Sequence, residues 1–308
     1  MNQHYQRYFK LGIVHFMAFP QTMRGEGPVL ETIQTIAADP DFQAIEITWI
    51  KDDVTREKAT ALLASSGLDV YYGGQPRLLS QKLSLCDLNT EQRRTAIADI
   101  KQGIDEAVTM KALGLAVLSG KDCAETDRPA ATTKLVESLQ ELADYAGERG
   151  LQLTIETFDR AGYAKNCLIG PTVEASQLAD RVARKNFGLM LDLSHMPLLD
   201  ETPEKMLSAG KAHLRHIHIG NCVKRISGHP AYGDEHPRFG IPEGENGVPE
   251  LKAFLRELFR IGYLSANKLK PPVVSFEVKP MAGEASDVVI AHSKRVLRQA
   301  WAELELGG

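Results

Sequence analysis

Short apolar runs recur along the chain, separated by longer stretches in which apolar residues fall at intervals of three or four. The first pattern predicts buried β-strands and the second predicts amphipathic helices. We predict strands at Leu11 to Phe16, Ala44 to Trp49, Leu68 to Tyr72, Leu113 to Leu118, Leu151 to Glu156, Phe187 to Asp192, Leu214 to Ile219 and Val273 to Val278. The clearest helical stretches are Thr90 to Lys111, Ala130 to Arg149 and Val248 to Gly262. This alternation predicts an α/β fold with a parallel sheet.

The number of predicted strands distinguishes between the two common parallel folds. Eight strands alternating with helices close into a (β/α)8 TIM barrel, which holds a single core in chains of about 250 residues or more. The alternative is a doubly wound open sheet, but no Gly-x-Gly-x-x-Gly segment follows the first strand. Polar residues also end four consecutive strands instead of clustering at one switch point. We therefore predict one TIM-barrel domain over residues 1–308.

The longest irregular stretch runs from Asn221 to Gly247 and contains glycines, prolines, two histidines and several charged residues. Loops of this length in compact domains are usually functional or disordered. Because the loop follows the seventh strand, we expect it to cover the face of the barrel where the strands end, which is the face that carries the active site in such barrels.

Composition narrows the class of protein. Hydrophobic residues make up 43% and charged residues 25% of the chain, as in ordinary soluble proteins, and no apolar run approaches the roughly 18 residues of a membrane span. The first ten residues lack a signal-peptide core and the four cysteines form no CxxC pair, so we expect a cytoplasmic protein with free thiols. The net charge of −4 gives no basic footprint for nucleic acid.

Polar residues with metal-ligand chemistry end the last four predicted strands, and they are Glu156, Asp192, His218 and Glu277. Because side chains alternate along a strand, these residues are expected to point into one mouth of the barrel. Three carboxylates in a semi-enclosed site repel one another unless a cation compensates them. Mixed oxygen and nitrogen ligands suit Mn²⁺, Mg²⁺, Co²⁺ or Zn²⁺. One acidic residue at a strand end is more often a helix cap or surface pair, but four consecutive strands favour a divalent metal site.

The motifs around these residues resemble those of the xylose isomerase-like barrel superfamily over nearly the whole chain. They are Thr154-Ile-Glu156, Leu191-Asp192-Leu-Ser-His195-Met196, His216-Ile-His218-Ile-Gly220 and Phe276-Glu277. The superfamily includes tagatose and psicose 3-epimerases, hydroxypyruvate isomerase, inosose dehydratase and endonuclease IV. The resemblance implies that the four strand-end residues are metal ligands and that His195 contacts substrate or a further metal ion.

The loop after strand seven contains a second polar group, formed by Asp234, His236 and Arg238. This segment resembles one in which sugar isomerases carry a substrate-binding histidine or arginine. In endonuclease IV the corresponding Asp-x-His binds a further zinc ion with a histidine that follows strand six. The resemblance thus allows a second metal site at His195, Asp234 and His236. Hydrogen bonds to substrate hydroxyls or a loop-ordering salt bridge explain the same residues.

The resemblance also implies a mechanism. A metal ion that chelates neighbouring hydroxyl and carbonyl oxygens of a sugar acidifies the C–H beside the carbonyl and stabilises the enediolate that forms. In 3-epimerases of the superfamily, the glutamates that match Glu156 and Glu277 remove and return this proton. We therefore expect these two residues to be catalytic, with His195, His236 and Arg238 binding substrate oxygens.

Three residues near the first two strand ends are further candidates for substrate binding, namely His15, Glu46 and Trp49. A histidine or glutamate in such a position is at least as often a hydrogen-bonded structural residue. The tryptophan could stack on a sugar ring, and it could equally pack the rim of the barrel.

The sequence thus predicts a metal-dependent isomerase or epimerase of a small carbohydrate. A lyase or dehydratase would use the same metal and base, with β-elimination in place of reprotonation. A nuclease resembling endonuclease IV is disfavoured, because the exits of strands three and four lack the histidines of its three-metal cluster; they read Tyr72-Gly-Gly-Gln-Pro76 and Leu118-Ser-Gly-Lys121. A non-catalytic sugar-binding barrel is a further alternative, and assembly as a homo-oligomer is left open.

Overall fold

The structure is a computed structural model that describes residues 1, 3–160, 162–163 and 165–305. Its strands are β1 (Lys10–Ile13), β2 (Ala44–Ile47), β3 (Asp69–Gly73), β4 (Gly114–Val117), β5 (Gln152–Glu156), β6 (Phe187–Asp192), β7 (Leu214–Ile219) and β8 (Val273–Phe276). Its α-helices are α1 (His15–Ala18), α2 (Val29–Ala37), α3 (Asp53–Ser66), α4 (Gln75–Gln81), α5 (Thr90–Thr109), α6 (Arg128–Gly147), α7 (Thr172–Val182), α8 (His195–Leu198), α9 (Pro203–Gly210), α10 (Val248–Arg260) and α11 (Ser286–Ala302). None of these helices, within the described residues, has the length and apolar character needed to cross a membrane.

The eight strands form one parallel sheet that closes on itself. Neighbours in the chain pair from β2 through to β8, and β8 pairs with β1. Between β1 and β2, Val14 bridges to Glu46, and the Gln43 amide donates to the Leu11 carbonyl at 2.8 Å. The predicted (β/α)8 barrel is confirmed, and the carboxyl ends of all its strands lie on one face.

Alternation along the strands separates the apolar core from the polar axis of the barrel. In β5, Leu153 and Ile155 are fully buried in the core between sheet and helices, whereas Thr154 and Glu156 line cavities along the axis. The helices contribute the other half of this core; α10, for example, buries Leu251, Phe254, Leu255 and Leu258 on one face. Burial of apolar area stabilises this layer by about 25 cal/mol per Å². The polar side chains are therefore concentrated at the axis and its mouth.

The first strand ends earlier than the sequence predicts. β1 ends at Ile13, and His15 begins the short helix α1. The segment from Leu11 to Phe19 is buried without interruption. A continuous apolar run fits a buried strand or a buried helix equally well, so its pattern does not show where the strand ends.

The predicted loop after β7 is present and is held by hydrogen bonds to the strand ends. The backbone amide of Asn246 donates to Asn221 Oδ1 at 2.7 Å. Its side-chain Nδ2 donates to the carbonyls of Leu193 and Gly220 at 3.1 and 3.0 Å. Those two carbonyls directly follow β6 and β7, so the loop is anchored to the strands that carry Asp192 and His218.

Gly220, at the exit of β7, lies against the residue that follows β8. A Cβ atom at Gly220 would be 2.4 Å from the Glu277 carbonyl oxygen and 3.2 Å from His236 Nδ1. We expect Gly220→Ala to lower the free energy of unfolding by about 1–3 kcal/mol, because backbone atoms must shift. Gly228→Ala is the matched control, since no atom lies within 4 Å of its Cβ position, and its effect should stay within about 0.5 kcal/mol. Urea denaturation measures both, and equal stabilities would contradict the close contact.

Candidate active site

The predicted metal ligands meet at the face of the barrel where the strands end. Glu156 and Asp192 are the last residues of β5 and β6, His218 is the penultimate residue of β7, and Glu277 follows β8. One ligand atom from each of these residues lies within 4.8 Å of the ligand atoms of the others. Each residue is at most 8% exposed. The strand pattern therefore places an imidazole and three carboxylates together in what we call the four-residue cluster.

Hydrogen bonds hold the two carboxylates on β5 and β6. Ser194 donates to Asp192 from its backbone amide at 2.7 Å and from its hydroxyl at 2.5 Å. Gln75 Nε2, at the start of α4, donates to Glu156 Oε2 at 2.7 Å. Burial raises the pKa of Asp192, and the neighbouring His195 offsets only part of that effect. Glu156 is therefore held by a residue distant in the sequence, and Asp192 is held by the turn that follows it.

His218 lies between two other carboxylates. Its Nδ1 is 2.6 Å from Glu277 Oε2, and its Nε2 is 3.1 and 3.0 Å from the two oxygens of Glu46. Ionised carboxylates only accept hydrogen bonds, so both ring nitrogens are protonated in this arrangement. Burial acts to lower the pKa of His218, but Glu46 and Glu277 outweigh it and hold that pKa well above its usual value. The imidazolium partly compensates the surrounding negative charge.

The four-residue cluster fits a divalent metal ion. Glu156 Oε1 is buried and has no hydrogen-bond partner among the described residues, a situation that costs about 1–3 kcal/mol for a polar atom. Carboxylate oxygens and an imidazole nitrogen are ligands that Mn²⁺, Mg²⁺, Co²⁺ and Zn²⁺ accept. A metal ion could also replace the proton on one nitrogen of His218, because metal ligation requires a neutral imidazole.

A cavity of about 270 Å³ lies over this cluster. Its polar lining consists of Arg24, Glu46, Gln75, Ser80, Glu156, Lys165, His218, Asp234, His236 and Glu277. Its apolar lining consists of Phe16, Met17, Met23, Pro76, Leu79 and Phe158, with Gly73. This volume is close to the lower end of the range for small-molecule sites, about 300–1,000 Å³. The lining suits a small polar molecule that also presents C–H surface.

A second polar cluster, the Asp234 cluster, adjoins the first. His195 Nε2 and His236 Nε2 lie 2.9 and 2.7 Å from Asp234 Oδ1. Lys165 Nζ lies 3.0 Å from Asp234 Oδ2. His195 also donates from Nδ1 to the Thr157 carbonyl at 2.7 Å, and it is fully buried. One carboxylate is thus surrounded by two imidazoles and an ammonium group.

The Asp234 carboxylate needs no added cation, because two imidazoles and an ammonium group already face it. Burial acts to lower the pKa of both histidines, but carboxylates outweigh it in each case. Asp234 and Asp192 hold the pKa of His195 well above its usual value, and Glu277 and Asp234 raise the pKa of His236 to about 9. Ligand atoms of Asp192, His195 and His236 do lie within 4.8 Å of one another. The second metal site therefore stays a prediction. It would require His195 and His236 to lose a proton, because a metal ion binds a neutral imidazole.

Four residues predicted to bind substrate are not part of the cavity lining: His195 of the Asp234 cluster, His15, Trp49 and Arg238. His15 is buried, its Nε2 lies 2.8 Å from Thr32 Oγ1, and burial lowers its pKa to about 3. Trp49 donates from its indole nitrogen to a backbone carbonyl at 3.3 Å. Arg238 donates from Nε to Glu284 Oε1 at 2.9 Å. These side chains are engaged with the protein itself, so the proposed substrate site excludes them.

Gln75 and Lys165 are among the cavity residues that were not predicted from the sequence. Gln75 follows two glycines at the end of β3, and its position at a strand exit was the only available signal. Lys165 lies in the long connection between β5 and α7. A long loop on the same face as Glu156 is a usable signal, but sequence alone does not show which of its residues turns inward.

The fold and the site together define a class: a (β/α)8 barrel with a candidate metal centre where its strands end. The chain belongs to the xylose isomerase-like TIM barrel family, whose model matches residues 34–299. That family identity confirms the predicted resemblance.

Known relatives share part of the sequence or the whole fold. A D-psicose 3-epimerase from Ruminiclostridium cellulolyticum is 28% identical over 93 residues, which is 30% of this chain and 31% of that protein. An L-ribulose 3-epimerase from a Methylomonas species is 33% identical over 93 residues, or 30% of this chain and 32% of that protein. The matched segments thus span about a third of these relatives. The crystal structure of an IolI protein with a bound zinc atom superimposes with a TM-score of 0.74 at 15% identity, covering 96% of this chain and 99% of the other, which shows the shared fold.

We expect loss of the Asp234 carboxylate to destabilise the protein strongly. Asp234→Asn should lower the free energy of unfolding by about 3–5 kcal/mol at neutral pH, because it leaves buried cationic groups without their carboxylate. Asp180→Asn is the matched control: its partner His213 Nε2 is 2.8 Å away, but the Asp180 side chain is 71% exposed. That pair should contribute no more than about 1 kcal/mol. Denaturant unfolding of both variants is the measurement, and a small loss in Asp234→Asn would show that the cluster is not charged as described.

Proposed function

We propose that this protein is a divalent-metal-dependent isomerase or epimerase that acts on a sugar or keto-sugar by moving a proton beside a carbonyl group. The observation that carries the proposal is the pair of glutamates, Glu156 and Glu277, in the four-residue cluster beneath the cavity. The sugar-epimerase relatives and the family membership support the same class of reaction.

Glu156, Asp192, His218 and Glu277 would hold the metal ion. A bound divalent ion supplies Lewis-acid chemistry, which polarises a carbonyl group and lowers the barrier to removing a neighbouring proton. Asp192 is suited to a purely ligating role, because Ser194 occupies both of its oxygens with hydrogen bonds. Neither Asp192 nor His195 lines the cavity, so these residues act from beneath the substrate.

The two glutamates each have one oxygen fixed by a protein group. Gln75 holds Oε2 of Glu156 and leaves Oε1 without a hydrogen bond. His218 lies 2.6 Å from Oε2 of Glu277, whose Oε1 is 3.7 Å from His236. Because the two residues come from β5 and β8, they approach the cavity from different sides of the barrel. We propose that one removes the proton and the other returns it, which is the requirement for inverting or relocating a stereocentre.

Other cavity residues would bind and enclose the substrate. Lys165 is paired with Asp234, which raises the lysine pKa, so it stays protonated and acts as a hydrogen-bond donor instead of a base. An ammonium group has three donors, so its ion pair with Asp234 leaves donors for a substrate hydroxyl. Phe16 and Phe158 would pack against the C–H faces of a sugar and exclude water from the reacting atoms.

Replacing either glutamate should stop proton transfer. We expect Glu156→Gln and Glu277→Gln to lower turnover by about 10²–10⁴-fold, because an amide keeps the shape but cannot accept the proton. The measurement is deuterium incorporation into D-psicose, L-ribulose and a panel of other ketoses and keto-glycosides in D₂O, followed by mass spectrometry at saturating Mn²⁺ or Co²⁺.

The matched control is Glu243→Gln, an exposed glutamate of the loop after β7, which should retain wild-type turnover. Metal content must be measured on every variant, so that loss of the ion is separated from loss of the base. Wild-type turnover in both cavity variants with metal bound would exclude this mechanism. A product that has lost water instead of gaining deuterium would identify a dehydratase.

Lys165 gives a prediction on substrate binding. Lys165→Met should lower kcat/KM by about 10–100-fold, because a hydrogen bond from a charged donor contributes about 1.5–3 kcal/mol. Lys205→Met, at an exposed position on α9, serves as the control. Steady-state kinetics and unfolding are measured together. If Lys165→Met loses stability but keeps kcat/KM, the lysine serves only to neutralise Asp234.

A further inference from the structure

Glu46 is a buried carboxylate that no step of the proposed reaction uses. Glu46 lies in β2 and is 2% exposed. His216 Nε2 lies 2.7 Å from Glu46 Oε1, and His218 Nε2 lies 3.1 and 3.0 Å from Oε1 and Oε2. Because alternate residues of a strand share a face, His216 and His218 of β7 both turn toward this one carboxylate.

The two nitrogens of His218 face different surroundings. Nδ1 faces the metal-ligand carboxylates, at 2.6 Å from Glu277 Oε2 and 3.5 Å from Glu156 Oε1. Nε2 faces only Glu46 among the carboxylates of the described residues that pair with His218. A neutral imidazole has one N–H donor and one lone pair. For Nδ1 to bind an ion, the proton must be on Nε2, where Glu46 accepts it.

We propose that Glu46 is a positioning residue that selects the Nε2–H tautomer of His218 and aims its Nδ1 at the metal ion. The inference rests on the proposed metal-dependent function. His216 completes the arrangement, because its bond to Oε1 fixes the orientation of the Glu46 carboxylate. The backbone of Glu46 is itself held by the bridge to Val14 that closes the barrel. The strand pairing of the barrel thus positions Glu46 and, through it, the ring of His218.

This role differs from the substrate contact expected of Glu46 from the sequence. Both of its oxygens face imidazole nitrogens, so a substrate hydroxyl would have to compete with His216 and His218. Glutamine in place of Glu46 presents an amide NH₂ group to one of the two rings. Facing His218, that group would pair with a lone pair on Nε2 and move the ring proton to Nδ1, where it blocks metal binding.

The test is metal affinity, which needs no substrate. Apo protein is titrated with Co²⁺ and Zn²⁺ in competition with a chromophoric chelator, for the wild type, Glu46→Gln and Glu106→Gln. We expect Glu46→Gln to bind each ion about 10–100-fold more weakly, the usual effect of losing a partner of a metal-bound histidine. Glu106→Gln is the control: this partly buried glutamate accepts hydrogen bonds from the Ile50 amide and Tyr72, outside the four-residue cluster, so the metal affinity of the variant should match the wild type.

A second measurement does not depend on any variant folding well. Nitrogen-15 NMR of the zinc-loaded wild-type protein reports the tautomer of each histidine ring, and His218 should carry its proton on Nε2. A proton on Nδ1 would overturn the inference, as would wild-type affinity in Glu46→Gln. If the wild type bound two ions per chain and Glu46→Gln bound only one, with unchanged affinity for that ion, Glu46 would be a metal ligand and the inference would be overturned. Failure of the wild type to bind any ion would refute the proposed function itself.

Discussion

Burial of carboxylates at the mouth of the barrel is the constraint on which the rest of the structure depends. The carboxylates are no more than 8% exposed, and they are Glu46, Glu156, Asp192, Asp234 and Glu277. Like charges at this depth destabilise one another unless cations and hydrogen-bond donors compensate them. Four histidines, one lysine and the donors of Ser194 and Gln75 do so here. The polar network is therefore a condition for folding as well as the basis of the proposed chemistry.

Different parts of the barrel position the candidate ligands and compensate their negative charge. The candidate ligands lie at the ends of β5 to β8, where pairing between strands fixes the backbone, so their positions follow from the register of the sheet. Most of the compensating groups come from the loops and turns that follow the strands. Gly220 shows how closely these parts fit, because its missing side chain leaves room for the Glu277 carbonyl.

The strand-borne part of the site could be predicted from sequence because its periodicity is regular. Glu156, Asp192 and His218 follow from alternation within β5, β6 and β7, and the family motifs agree with it. Gln75 and Lys165 could not be predicted, since their direction depends on loop contacts with Glu156 and Asp234. Arg238 and Trp49 show the converse, because a residue in the right segment can hydrogen-bond to another protein group and stay outside the cavity lining. Glu46 was found as a candidate, but its partners on β7 become evident only when the barrel closes.

The central claim is that the four-residue cluster holds one divalent ion. A crystal structure of the protein with Mn²⁺, using anomalous scattering to locate the ion, tests it most directly. We expect one strong peak at about 2.0–2.3 Å from side-chain atoms of the cluster, namely those of Glu156, Asp192, His218 and Glu277. A peak among Asp192, His195 and His236 alone, or no peak at saturating Mn²⁺, would contradict it.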